Sequence, residues 1–304
     1  MAWYDVGPAM IDGAGALKAL LDAYLPLNPY WSIKDAAAGA NIGVYRNHDA
    51  ARNSDFVLYV DDTAASYSYV QLWEDWDAVA HAGVGASVTT TLYSARLLTF
   101  LKGTSREKIG WSIRVSDHHF LLHGHGTNTT SVGNPSTQTY YVGQLRRFDE
   151  SKNMPICICK SNTNTIWHSA GQTVDPICMR NWDVAGSTEY RAAILVALFD
   201  ETGAASILHP PASREPNVNH SGSYNVQVIR TISGEILIEE AVIYSHNTKR
   251  LMGILDGVVQ LPGSGSSTSG MMQPGYFSVY EVDGVFWKVV GGNSNDQGAL
   301  VRMS

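Results

Sequence analysis

The sequence predicts a mainly β protein, with antiparallel β-sandwich or barrel domains preceded by a short N-terminal α-helix. Three observations lead there. A helical apolar period appears only ahead of Pro29. From Tyr30 onward, apolar and aromatic residues alternate or run in short blocks, as half-buried and fully buried strands do. These blocks recur at a spacing of about ten residues, punctuated by Gly, Asn and Pro turns, which is the rhythm of sandwiches and barrels. No fixed-period repeat is present, so a solenoid is excluded.

The helix is expected over Pro8–Leu25, where Met10, Ala14, Leu17, Leu21 and Tyr24 share one face. Pro8 suits a first turn, and Pro26 and Pro29 stop the helix. Gly13 and Gly15 each weaken it by about 1 kcal/mol, which moves its effective start to Asp12, a good N-cap. Short strands are expected at Trp31–Lys34 and Ile42–Tyr45. Phe56–Val60 reads as a buried strand. Residues 67–73 alternate, with Tyr67, Tyr69 and Trp73 on one face and Val70 and Leu72 on the other. The turn Asp61–Ser66 makes these two strands a hairpin. Trp111–Val115, His119–His125, Thr139–Leu145, Ile156–Cys159 and Ala193–Phe199 continue the series, whereas Leu92–Lys102 fits helix or strand equally. Pro210-Pro211 marks a boundary. Beyond it, Tyr224–Thr231 and Glu235–Tyr244 flank Ser233-Gly234, and Phe277–Val282 and Val285–Val290 flank Asp283-Gly284, both hairpin signals. The expected organisation is a helical segment over 1–29, a first β-domain over 30–209 and a smaller β-domain over 210–304.

Composition narrows the function. A hydrophobic fraction of 44% with 16% charged residues, against about 25% charged in an average soluble protein, excludes intrinsic disorder. The net charge of −7 repels a phosphate backbone, and the longest basic cluster is Arg146-Arg147, so no nucleic-acid partner is expected. No apolar run is long enough to span a membrane as a helix, so no membrane partner is expected either. The opening residues lack the basic and apolar regions of a signal peptide. Three cysteines do not make a disulfide framework and suit folding in a reducing cytosol.

The search for chemistry finds residues but no constellation. On a strand, His119, His123 and His125 point to one side, and a His-x-His pair can grip zinc or iron with a third ligand from elsewhere. No acidic partner stands at diagnostic spacing, so the imidazoles are expected to be hydrogen-bonded parts of a polar strand face, with no metal or cofactor. Cys157 and Cys159, even with His168 and Cys178, lack the C-x2-C spacing of a zinc site. They are expected as buried thiols on one strand face, with Ile156 and Ile158 on the other. Asp61-Asp62 and Glu74-Asp75-Trp76-Asp77 offer carboxylate pairs of the glycosidase type, beside Trp73 and Trp76, which can stack on a sugar. Nucleophile-elbow, phosphate-loop, dinucleotide and zinc-protease motifs are missing. A non-enzymatic role is therefore expected.

Three stretches carry a resemblance: MAWYDVGPAMIDGAGALKALLDAYL at the front, FVLYVDDTAASYSYVQLWEDWDAVAHAGVGAS from Phe56, and IGWSIRVSDHHFLLHGHG from Ile109 with YYVGQLRRFDESKNMPICICKS from Tyr140. In this order they resemble structural proteins of tailed-bacteriophage virions, in which a short helix precedes β-domains. Across the third block the shared pattern is Trp111–Val115, a Tyr-x-Gly-x-Leu strand at Tyr141–Leu145, and a Pro-led apolar strand at Pro155–Cys159. The chain departs from the pattern at Met154-Pro155, where Tyr-Pro is usual. The resemblance spans about residues 1–165 and brings no catalytic residue.

It implies a virion subunit of the tail, baseplate or neck, assembled in the host cytoplasm, that self-associates and docks to other virion proteins. Low charge with many Tyr and Trp suits such contacts independently, and closed symmetry would build a ring or trimer from one surface. The contact candidates are Trp3, Leu17, Leu21 and Tyr24, which would seat the helix on a β-domain or a partner subunit, then Trp73 and Trp76, and Arg146 and Arg147 facing an acidic neighbour. The 263–270 loop is placed to reach an adjacent copy. The alternatives are a host-surface or glycan-binding adhesin presenting Trp73, Trp76 or the 126–137 loop, and a virion-associated glycan hydrolase working through Asp61 and Asp62 or a His-bound metal.

Overall fold

In the computed structural model residues 8–10 do not join the expected helix. Ala2–Met10 is a strand, β1, paired antiparallel along 110–115, and the helix α1 is only Ala16–Tyr24. Trp3, Tyr4 and Val6 favour a strand. Gly13 (φ 87°) and Gly15 (φ 79°) take left-handed conformations that no helix can run through. The apolar period read across Met10, Ala14 and Leu17 therefore spans two elements. The structure describes residues 2–11, 13–89, 98–102, 109–126, 137–149, 151–161, 177, 194–199, 206–209, 239–245, 251–260, 279–282, 284–291 and 298–303. Asp12, the expected N-cap, lies outside them. The cap comes instead from a distant turn: the Gly15 amide donates to the Asp62 carbonyl (2.8 Å), and the Lys18 amide donates to Asp62 Oδ2 (3.0 Å), satisfying first-turn donors with a negative charge.

β2 (Trp31–Ile33), β3 (Ile42–Asp49), β4 (Ser54–Asp61), β5 (Tyr67–Asp77) and β6 (Ala82–Val88) form an antiparallel meander, the first sheet. The expected hairpin is observed, with Val57 opposite Trp73 and Asp61 opposite Tyr69. β7 (Leu98–Leu101) settles the ambiguous segment as a strand, pairing with the start of β5. β8 (Ile109–Val115), β9 (His119–Gly126) and β10 (Thr137–Gln144) continue, with β1 on the outer side of β8. After the two-residue β11 (Arg146–Arg147), β12 (Pro155–Ser161) pairs with β10 and with β13 (Ile194–Ala197), completing the second sheet, and its last residues cross to β7. β14 (Ser206–His209) leads from β13 into the third sheet. There β15 (Glu239–Ser245) and β16 (Leu251–Gln260) pair, and β17 (Val279–Val282), β18 (Val285–Gly291) and β19 (Gly298–Arg302) close it, with β11 also on β16. β17 and β18 meet where Asp283-Gly284 predicts a hairpin. The architecture is sandwich-like and not a closed barrel.

The second sheet is the middle layer. On one side Phe120, Leu122, Tyr140, Val142, Cys157 and Cys159 pack with α1 and with Phe56, Leu58, Val70 and Leu72 of the first sheet. On the other, Leu121, Tyr141, Ile156 and Ile158 pack with Ile243, Met252, Leu255 and Val258 of the third. Strand alternation makes this possible, since successive residues serve opposite cores. Cys157 and Cys159 are free, buried and on one face, as expected. Residues from both sides of 209–210 thus share the second core, while Pro210-Pro211, 224–231 and the 263–270 loop lie outside the described residues.

Candidate functional site

Two regions of the fold carry functional character. The first is the outer face of the first sheet. Register aligns Val44, Tyr59 and Gln71 in one row, Arg46, Val57 and Trp73 in the next, and Ile42, Asp61 and Tyr69 in a third. Their sequence neighbours Tyr45, Leu58, Val70 and Leu72 point into the first core. A register shift between Trp73 and Asp75 returns Trp76 to the outer side. There Tyr59 stacks on Trp76 (centroids 5.3 Å apart) and Trp73 meets Trp76 edge-on (6.4 Å). Tyr67 and Tyr69 form an edge-on pair (5.0 Å). Their hydroxyls lie 3.1 Å apart, and that bond, with burial, pushes Tyr69 up to about 12.

Trp76 is covered by the loop after β2. Its Nε1 donates to Asp35 Oδ2 (2.9 Å), which also lies 2.7 Å from His81 Nδ1. Burial raises the Asp35 carboxyl, but the bonds from His81, Trp76 and the Ala37 amide outweigh it and hold the group below its usual range. Trp73 stays half-buried, its Nε1 bonded to Gln71 Oε1 (2.9 Å). Val79, in the turn after β5, and Val84, on β6, are exposed. Arg46 is paired with Asp55 (2.6 Å), and Lys34 with Asp75 (3.1 Å). The result is an aromatic, polar surface whose charges are mostly neutralised at home, the composition of a contact surface.

The second region is a buried polar seam between the second and third sheets. Arg114, on β8, is 1% exposed, and its Nη1 donates to the Arg302 carbonyl (2.7 Å). Burial pulls this guanidinium down to about 10. His119 is fully buried and its ring stacks on Tyr141 (4.9 Å, 7°). Ser116 Oγ accepts the His119 amide (3.0 Å) and donates to the His119 carbonyl (2.9 Å). Oγ also lies 2.7 Å from Nδ1. With its proton on the carbonyl, Oγ accepts from Nδ1–H, the tautomer that carries a lone pair on Nε2. His118 lies alongside (ring centroids 5.3 Å), its Nε2 3.9 Å from Asp256 Oδ2 of β16. Burial lowers the pKa of both imidazoles, for His118 against the pull of Asp256 and for His119 reinforced by His118 and Arg114.

Gly143 makes this approach possible. At φ 135°, a Cβ there would sit 2.3 Å from the His118 carbonyl oxygen and 2.4 Å from the His119 Cα. A pocket of about 70 Å³, lined by Arg52, Ser54, His118, Gln144, Leu145, Arg146, Arg147 and Asp256, opens beside the seam.

Several expected site residues have other roles. Leu17 and Leu21 are buried in the first core of this chain, with Tyr24 packed on it, so the helix seats on its own β-layers and these leucines have no surface left for a partner. Trp3 lies in β1 opposite Arg114, not ahead of a helix. Trp76 is 5% exposed and serves the small cluster with Val44 and Val57. Arg146 finds its acid within the chain, at Glu240. Arg147 is buried, its guanidinium donating to the carbonyls of Arg52 and Asn53. His123 is buried against Thr139 (2.7 Å), and the side chain of His125 lies outside the described residues. Asp61 and Asp62 diverge: Asp61 accepts from Thr63, while Asp62 is fully buried against Lys102 (2.5 Å). They do not form a facing carboxylate pair. Cys178, His168 and residues 127–136 lie outside the described residues. Sequence reasoning missed Asp256, which no spacing rule connects to the histidines. No helix among the described residues is long and apolar enough to cross a membrane. No protein-family model matches the chain, and no curated protein matches it.

Proposed function

We propose that the chain is a structural subunit of a tailed-phage virion, in the tail, baseplate or neck, acting by self-association and by docking to other virion proteins. One observation carries the reading: the outer face of the first sheet holds half-buried Tyr59, Tyr69 and Trp73, and its charges are largely paired internally. Contact surfaces gain from large aromatic groups and lose from unpaired charge. The fully buried Asp62–Lys102 pair is spent on structure, which suits a building block. The phage resemblance of residues 1–165 supplies the virion context. The test is mass spectrometry and immunogold labelling of purified particles from the phage that encodes the chain. The reading expects labelled particles with a fixed copy number, and particles devoid of the chain contradict it.

A second reading is favoured by Trp73, whose half-buried indole lies beside the Gln71 amide, the pairing of flat ring and hydrogen-bonding group that sugars use. A glycan-binding adhesin predicts array signals lost in Trp73→Ala. No signal above background for the wild type contradicts it.

A further inference from the structure

We propose that His118, His119 and Asp256 form a binding site for a divalent transition-metal ion of the zinc class. One ligand atom from each of the three lies within 4.8 Å of the other two. Tetrahedral ligands about 2.0–2.1 Å from zinc stand roughly 3.3 Å apart, so the 3.9 Å between His118 Nε2 and Asp256 Oδ2 closes with a small carboxylate movement. Asp256 is free to make it, since its side chain is 26% exposed and borders the pocket. The pocket that His118 and Asp256 line leaves room for a water as the fourth ligand.

Two independent features point to a ligand. His119 Nε2 is buried without a hydrogen-bond partner among the described residues, and an orphaned buried nitrogen of this kind demands an explanation. His119 also has the outer contact that metal-ligating histidines use: Ser116 Oγ stands 2.7 Å from Nδ1, which fixes the ring and, in the Nδ1–H tautomer, leaves Nε2 to hold the ion. Gly143 is the third element of the build, because any side chain there would push the His118–His119 backbone out of place.

The surrounding charge decides which metal. Arg114, Arg52 and Arg147 act on these imidazoles, and Asp256 and Asp117 oppose them. Such a site cannot hold an ion by charge alone. Calcium and magnesium need several hard oxygen ligands, and one carboxylate does not suffice. Zinc, nickel and copper gain from imidazole nitrogen itself, so selectivity follows from the ligand set. This inference is independent of the assembly reading.

The test is isothermal titration of the full-length, tag-free chain with Zn²⁺ after chelator dialysis, with Ca²⁺ and Mg²⁺ as competitors. The expected result is one zinc per chain, undisturbed by either competitor. His119→Gln and Asp256→Asn should each weaken binding at least about tenfold. Asp256→Asn alters a partly exposed group, so it reports on the site even where His119→Gln unsettles the core. A wild type that binds no zinc, variants that keep wild-type affinity, or calcium bound as tightly as zinc would each overturn the proposal.

Discussion

Replacing Lys102 with Met should unsettle the molecule more than any change at a surface ion pair. Its ammonium donates to Asp62 Oδ1 (2.5 Å), the Gly13 carbonyl (2.7 Å) and the Ala64 carbonyl (2.5 Å), which uses all three protons. The side chains of Lys102 and Asp62 are 1% and 0% exposed. Asp62 in turn accepts from the Lys18 amide and from Ser68 Oγ. One ion pair therefore joins the start of α1, the β4–β5 turn and the end of β7. Lys102→Met leaves a buried carboxylate without its cation and two carbonyls without a donor. Breaking a buried pair on one side costs about 3–5 kcal/mol. The matched control is Arg46→Met, which removes a pair with Asp55 whose side chains are 32% and 38% exposed, a loss of about 0–1 kcal/mol. Urea unfolding followed by tryptophan fluorescence reads both. With a slope of about 3 kcal/mol/M, the Lys102→Met midpoint should fall by roughly 1–1.7 M and the control by less than about 0.3 M. Hydrogen exchange should show the loss first in residues 15–24. Equal midpoints for the two variants would refute the claim that this buried pair clamps the helix to the sheets.

Three further outcomes are expected. Gly143→Ala should lower stability by about 2 kcal/mol or more, because φ 135° and a 2.3 Å contact with the His118 carbonyl both oppose a Cβ; thermal unfolding checks it. Asp35 has a depressed carboxyl pKa in the folded state, so its contribution is complete above the unfolded value of about 3.9 and is lost as pH falls through the folded value. Asp35→Asn should therefore flatten the loss of stability below about pH 4, as read by urea midpoints across an acid series. Leu21→Ala, in the first core at 0% exposure, should cost about 2–5 kcal/mol, while Trp73→Ala on the outer face should cost clearly less by the same measurement.

The parts of the fold legible in the sequence are those where local pattern and tertiary packing agree. The β4–β5 hairpin shows in full, because Phe56–Val60 is one short apolar run, residues 67–73 alternate cleanly and the turn residues sit between them. Cys157 and Cys159 were legible for the same reason, a period of two in a middle-layer strand. The front of the chain misleads because apolar spacing says nothing about φ. Met10 and Leu17 fit one helical face, yet two left-handed glycines part them and β8 claims the strand Ala2–Met10. β16 escapes notice because Gly253 and Gly257 interrupt its apolar run. The glycine at 253 is there for close approach, since a Cβ would lie 2.7 Å from the Arg146 carbonyl. The histidine cluster is legible as a cluster but not as a site. Its acid arrives from β16 through the stacking of the third sheet on the second, a relation that no spacing along the chain encodes.

The central claim is that the aromatic outer face of the first sheet is an assembly surface. Sedimentation velocity of the full chain over a wide concentration range, beside a Tyr69→Ala/Trp73→Ala double variant, tests it most directly. The account predicts a defined oligomer for the wild type and a folded monomer for the variant. A wild type that sediments as a monomer at every concentration, or an oligomer that the double variant leaves intact, would contradict it.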